Sequence, residues 1–241
     1  MRILITNDDG VSASQLVPLI KWCQKNLGEV TTVVPKFEQS GKSHGIEIHK
    51  PFEAKEVVLE DGITAWAVDS TPADCVRLAI LGFGMKFDLV ISGINRGLNL
   101  GVDIIYSGTV SAACEAANLG VKALALSTSP QYYDSAVSQL DRVFDFIQKN
   151  NLLALNDIYN INIPGASPDI LITHQGGPYF SDDFHAIEND MYRPCGKSIW
   201  VDRQDYSLDT DATLNGHLSI TPLTIDRTNH AVYNTLKHLN I

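Results

Sequence analysis

The stretch Met1–Pro35, MRILITNDDGVSASQLVPLIKWCQKNLGEVTTVVP, decides the fold class. Arg2–Asn7 is a short apolar run that turns polar at its end, the pattern of a buried strand. Asp8-Asp9-Gly10 then interrupts it. Beyond the interruption Leu16, Leu19, Ile20, Cys23 and Leu27 recur at helical spacing, and Gly28 stands where a glycine closes a helix. Glu29–Pro35 is rich in β-branched residues and predicts a second strand. Strand, helix and strand in this order predict a parallel sheet with helices on its faces.

The alternation continues outward from this unit. Ala73–Phe83 predicts a helix, Phe87–Ser92 a strand, Thr109–Leu119 a helix and Lys122–Ser127 another strand. Ser135–Gln148 predicts a further helix, and Ile158–Ile163 a strand that stops at Pro164. Between the second strand and Ala73, Gly45–His49 and Thr64–Val68 read as a hairpin insertion. From Gly176 the character changes. Tyr179–Tyr192 is polar and aromatic with little period, Ser198–Asp202 and His217–Thr221 are short strand candidates, and Thr228–Leu239 predicts a last helix. The expected organisation is an α/β catalytic domain over residues 1–175 and a C-terminal arm over residues 176–241.

Composition narrows the function classes. Eighteen Lys and Arg against 28 Asp and Glu leave a net charge of -10, which repels polyphosphate backbones and argues against a duplex nucleic-acid partner. Four scattered cysteines form no C-x-x-C pair and read as reduced core residues. The N-terminal run lacks the apolar length of a signal peptide, and no run reaches the roughly 20 residues of a membrane span. The cytoplasm is the expected compartment, without a membrane partner.

Ligands of an open parallel sheet bind beyond the carboxyl ends of its strands, and three polar, glycine-bearing loops fall there: Asn7–Gly10, Glu38–Gly45 and Gly93–Gly108. In the first, Asp8 and Asp9 reach one point only if the chain turns, as Gly10 permits. Two carboxylates held together repel unless a cation lies between them. A metal pair and an acidic helix-capping turn fit this loop equally well. The second loop ends in Gly41-Lys42-Ser43, but a phosphate-binding P-loop needs glycine at position 36, where this chain has Lys36. Taken alone it reads as a solvated loop, with the Ser40 hydroxyl available to a metal and Lys42 to an anion. His44 is a candidate proton donor, although loop histidines are ordinarily solvated.

The third loop leads into a helix whose first residues are small, so the N–H groups of Ser107, Gly108 and Thr109 form a candidate phosphate site. Asn95 adds an amide oxygen. Asp8, Asp9, Ser40, Asn95 and water make an all-oxygen donor set that suits Mg²⁺ or Mn²⁺ and disfavours Zn²⁺.

These segments also carry a family likeness. MRILITNDDG, QSGKSHGIEI, VDSTPADCVRLAI, DLVISGINRGLNLGVDIIYSGTVSAACEA and DTDATLNGHLSITPL together resemble the survival protein E (SurE) family of 5′/3′-nucleotidases. The resemblance implies a Rossmann-like α/β domain, with helices on both faces of the sheet and a C-terminal arm exchanged between subunits in a homodimer or tetramer. It implies Asp8, Asp9, Ser40 and Asn95 as ligands of one divalent metal ion per subunit, and Ser107, Gly108 and Thr109 as phosphate contacts alongside Asn95. Val11–Ser14, Asp69–Thr71 and His174–Gly176 depart from the family's usual residues, and none of these departures removes a metal ligand.

The expected activity is hydrolysis of nucleoside 5′- and 3′-monophosphates, with Asp8 and Asp9 as the catalytic pair. An aspartyl-phosphate intermediate is the mechanistic rival. The functional rival is a receiver-like module that binds phosphate or nucleotide without turnover. Receivers place an Asp after a later strand, whereas Phe87–Ser92 leads into Gly-Ile-Asn.

Overall fold

In the computed structural model, which describes residues 1–239, the opening strand β1 (Arg2–Thr6) lies in the middle of a nine-stranded sheet. Its residues from Ile3 to Thr6 are all buried, because helices cover both faces of the sheet. Helix α1 (Leu16–Asn26) buries Leu16, Leu19, Ile20 and Cys23 on one face. Burial of each large apolar side chain there contributes about 1.5–3 kcal/mol. Strand β2 (Glu29–Pro35) then returns parallel to β1. The strand–helix–strand unit expected from Met1–Pro35 is present.

The insertion that follows differs from expectation. Its hairpin is β3 (Ala54–Val58) and β4 (Thr64–Val68), paired antiparallel, whereas Gly45–His49 forms no strand. The latter segment is tied by side chains instead: Asp74 Oδ2 accepts the Glu47 N–H at 2.8 Å, and Thr71 Oγ1 donates to the Gly45 carbonyl at 2.7 Å. Helix α2 (Pro72–Arg77) starts with Thr71 as its cap and Pro72 in its first turn, then widens into a π turn over Leu78–Gly82.

Strand β5 (Leu89–Arg96) pairs with β1 and runs past the expected end at Ser92, through an irregularity in register between Ser92 and Asn95. A 3₁₀ turn (Gly101–Tyr106) leads into α3 (Gly108–Asn118), followed by β6 (Lys122–Thr128). The helix expected from Ser135 begins as a 3₁₀ run (Pro130–Gln139) and becomes α4 (Leu140–Lys149), followed by the short α5 (Leu152–Leu155) and β7 (Ile158–Ile163). Helices α1 and α4 cover one face of the sheet, and α2 and α3 the other.

The last third contains elements with little period in the sequence. These are β8 (Ile170–Ile172), the two-stranded ribbon of β9 (Phe180–Ala186) and β10 (Tyr192–Ser198), and the short α6 (Asp209–Leu214). Strand β11 (Leu218–Leu223) re-enters the main sheet between β7 and β8, antiparallel to β7. Helix α7 (His230–Leu236) ends the regular structure, with a 3₁₀ turn over Lys237–Leu239. Within residues 176–241, therefore, the ribbon forms a separate small sheet, whereas β11 belongs to the main one.

The strand order is β3-β4-β2-β1-β5-β6-β7-β11-β8, with β4 through β7 parallel. From β1 the chain moves first towards β2 and later, through β5, in the opposite direction. The order reverses between β1 and β5, and the crevice beyond the carboxyl ends of these strands is where ligands of such sheets bind. Among the described residues, no helix is long and apolar enough to cross a membrane.

Candidate active site

The β1–α1 connection is held by its own side chains. Asn7 Oδ1 accepts the Gly10 N–H at 3.0 Å, while its Nδ2 donates to the Gly10 carbonyl at 3.1 Å. Gly10 has φ +86°, a conformation that L side chains rarely adopt. This clamp turns the chain directly after Asp8 and Asp9.

Asp8 is buried, 4% exposed, and Thr109 Oγ1 donates to its Oδ1 at 2.5 Å. Burial, with the neighbouring charge of Asp9 adding to it, pushes its pKa up from 3.8 to about 6. Asp9 faces another way: its Oδ2 accepts the Arg96 N–H at 3.0 Å, with the Tyr133 hydroxyl at 3.5 Å. Burial raises its pKa as well, and Glu38 pushes in the same direction. Glu38 also raises Asp8, so three carboxylates crowd this strand end. Such a concentration of negative charge is the setting that a cation relieves.

Ser40 reaches the site because the Gln39 N–H donates to the Asp8 carbonyl at 2.7 Å. Its hydroxyl donates to Glu38 Oε1 at 2.7 Å, which leaves the oxygen lone pairs as acceptors. Asn95 donates its Nδ2 to the Gly97 carbonyl at 2.8 Å, leaving Oδ1 as the amide's acceptor end. Asp8, Ser40, Asn95, Asn99, Asp103, Tyr106, Ser107 and Tyr179 line one cleft of about 220 Å³ with their neighbours. Asp9 does not line that cleft; its Oδ2 is held by the Arg96 N–H. The Asp8 carboxylate, the Asn95 amide oxygen and the Ser40 hydroxyl that line the cleft are hard donors of the kind Mg²⁺ or Mn²⁺ accepts, whereas the Asp9 carboxylate of the expected set is bonded to Arg96.

The start of α3 abuts Asp8. A Cβ added at Gly108 would lie 3.0 Å from Asp8 Cβ and 3.3 Å from its Oδ2, so any larger residue here presses on Asp8. The N-terminal donors are less free than the sequence suggests. The Ser107 N–H is taken by the Ile104 carbonyl at 3.0 Å, and Ser107 Oγ caps the Val110 N–H at 3.1 Å. Thr109 spends its hydroxyl on Asp8. The Gly108 and Thr109 N–H groups are the backbone donors left facing an anion.

The glycine-rich loop rests on residues the sequence reading did not single out. Asn162 Oδ1 accepts the Asn99 N–H at 2.8 Å, and both Asn160 and Asn162 donate to the Asn99 carbonyl at 2.8 Å. Buried Asp209 accepts the N–H groups of Gly101 and Gly176. A detectable signal did exist for the first two: Asn160 and Asn162 sit at period two in an otherwise apolar strand, hence on one face. His44 points elsewhere, with its Nε2 2.8 Å from Glu115 Oε2.

The family model described as "Survival protein SurE" matches residues 3–182. A protein named 5′-nucleotidase SurE from Thermoanaerobacter sp. (strain X514) is 36% identical, covering 100% of this chain and 99% of the relative. Its namesake from Geotalea uraniireducens (strain Rf4) is 38% identical over 99% of this chain and 98% of its own. The crystal structure of the SurE protein from Aquifex aeolicus superposes with a TM-score of 0.77 at 30% identity, covering 99% of both chains. A match over most of the chain and relatives above 30% identity along its length place one conclusion beyond the geometry: this chain belongs to the survival protein SurE family.

Proposed function

We propose that this protein hydrolyses nucleoside 5′- and 3′-monophosphates to nucleoside and inorganic phosphate, with Asp8, Asp9, Ser40 and Asn95 holding one Mg²⁺ or Mn²⁺ per subunit. The observation that carries this reading is the buried Asp8 carboxylate, crowded by half-buried Asp9 and exposed Glu38 and sharing its cleft with the hard neutral oxygens of Ser40 and Asn95, beside a helix N-terminus. A bound divalent cation supplies charge neutralisation at the phosphoryl oxygens and lowers the pKa of an attacking water. Water adds to phosphorus, the bond to the nucleoside oxygen breaks, and the nucleoside leaves with a proton. One of the two carboxylates, Asp8 or Asp9, takes the proton of the attacking water. The N–H groups of Gly108 and Thr109, with Asn95, stabilise the charge on the transferring group. Ser107 shapes that turn by capping Val110.

The family membership and the relatives' name support nucleotides over other phosphate esters. Exposed apolar side chains on the ribbon and on α7, including Phe184, Met191, Tyr192, Tyr233 and Leu236, support a homodimer, or a tetramer, built through the arm of residues 176–241. Four free cysteines support a reducing, cytoplasmic setting. A phosphate-release screen over nucleoside 5′- and 3′-monophosphates with Mg²⁺, Mn²⁺ or EDTA tests the reading. Metal-dependent release from nucleotides is expected, and nucleotide binding without release would point to the receiver-like alternative.

A further inference from the structure

His44 ends the loop that carries Ser40, and its Nε2 lies 2.8 Å from Glu115 Oε2. The other oxygen of Glu115 accepts from Arg77 Nη1 at 2.9 Å. The Glu115 side chain is 6% exposed, against 29% for His44 and 36% for Arg77. The hydrogen bond from His44, with that of Arg77, holds its carboxyl below the usual range. Three elements therefore meet at one buried carboxylate: the Ser40 loop, α2 and α3.

Stability alone does not account for such a cluster. Desolvating buried ion pairs offsets most of their attraction, so apolar packing serves stability as well. What paired charges do fix is geometry. Helix α3, which carries Glu115, also brings Gly108 and Thr109 against Asp8. The loop that carries His44 is tied at its other end by the Gln39 N–H to the Asp8 carbonyl. Between the two ties the Ser43 N–H and hydroxyl donate to the Tyr106 and Ile105 carbonyls of the 3₁₀ turn, at 3.1 and 2.6 Å, while the tip at Ser40 and Gly41 is open: Ser40 is exposed and a Cβ at Gly41 would have nothing within 4 Å.

We infer that His44, Glu115 and Arg77 form a positioning device that locks the Ser40 loop to α3, holding the loop's metal donor and the helix's phosphate-facing turn in one register. His44 is not itself a catalytic residue. Its Nε2 is committed to Glu115, and its ring lines a neighbouring cleft with Val102, Ile105, Ser111 and Arg227 rather than the Asp8 cleft.

The inference rests on the proposed metal-dependent function, and one titration separates the two. Mn²⁺ binding is measured by calorimetry on the wild type, His44→Ala, His44→Gln and Glu115→Gln, with thermal unfolding recorded for each. Wild type binds Mn²⁺, and His44→Ala weakens that binding about tenfold, the scale of losing a residue that orients a metal ligand. His44→Gln, whose amide N–H can donate to Glu115, recovers most of the loss. Glu115→Gln weakens binding in the same way as His44→Ala and carries the test should His44→Ala not fold. A His44→Ala protein that binds Mn²⁺ like the wild type, whatever its melting temperature, overturns the inference, and so does a His44→Gln protein as weak as His44→Ala. Absence of Mn²⁺ binding by the wild type overturns the proposed function itself.

Discussion

Burying a carboxylate without a compensating charge costs free energy, and Asp8 carries that cost in the metal-free protein. Its pKa rises from 3.8 to about 6, so the folded state binds the proton more tightly than the unfolded chain does. Stability from this residue is therefore fully present below pH 3.8 and lost as pH rises to about 6. In urea titrations of metal-free protein, Asp8→Asn is expected to match the wild type near pH 3.8 and to exceed it by about 1–3 kcal/mol at pH 7. Gly108→Ala tests the neighbouring contact. The added methyl meets Asp8, so phosphate release is expected to fall about 100-fold while circular dichroism stays native. Asp8, Asp9 and Asn95 stand out in the sequence as candidates because polar residues follow apolar strands there, whereas the loop of Ser40, taken alone, reads as solvated and joins the candidate set through its hydroxyl and the family resemblance. Glu38 does not stand out, since nothing in its spacing shows that its charge reaches Asp8 and Asp9. Nor does Asp209, whose backbone partners come from Gly101, 108 residues away, and Gly176.

Strands and helices with a buried apolar face were legible, as was exposed α7 within the expected Thr228–Leu239, whereas the β9–β10 ribbon and α6 were not. The unit β1–α1–β2 declares itself through continuous apolar strands around a helix of period 3.6. The ribbon of β9 and β10 does not, because its side chains are almost all exposed or half-exposed and alternation has no core to record. Helix α6 is hidden for the opposite reason: Asp209, Thr210, Asp211, Ala212 and Thr213 are all buried, and the polar ones do not look like core. Of the hairpin expected from Gly45–His49 and Thr64–Val68, the second strand is β4, but the first lies at Ala54–Val58: alternating Ile46 and Ile48 mimic a strand that side-chain bonds to Asp74 and Thr71 hold as a loop. At this scale the asparagines of β7 are decisive. Asn162→Ala leaves the backbone N–H of Asn99 without its acceptor, and equilibrium unfolding is expected to show a loss of about 1–3 kcal/mol.

Across the whole molecule the charge is -10, and the substrate class proposed here is also anionic. A cation at the strand ends reconciles the two, which is why EDTA is expected to abolish turnover rather than slow it. The exposed apolar residues of the ribbon and α7 belong to the same scale. Sedimentation equilibrium is expected to give at least twice the chain mass, and deletion of residues 180–198 to lower the assembly state. The reversal of strand order between β1 and β5 brings the three loops to one edge, and that much followed from the alternation of elements alone. The central claim is that Asp8 anchors a metal on which phosphate release depends. Its most direct test is the rate of phosphate release from adenosine 5′-monophosphate by Asp8→Asn at saturating Mn²⁺. A loss of about 10³-fold or more with the fold intact is expected from removing an electrostatic anchor of the transition state. A rate equal to that of the wild type, persisting in EDTA, would contradict the account.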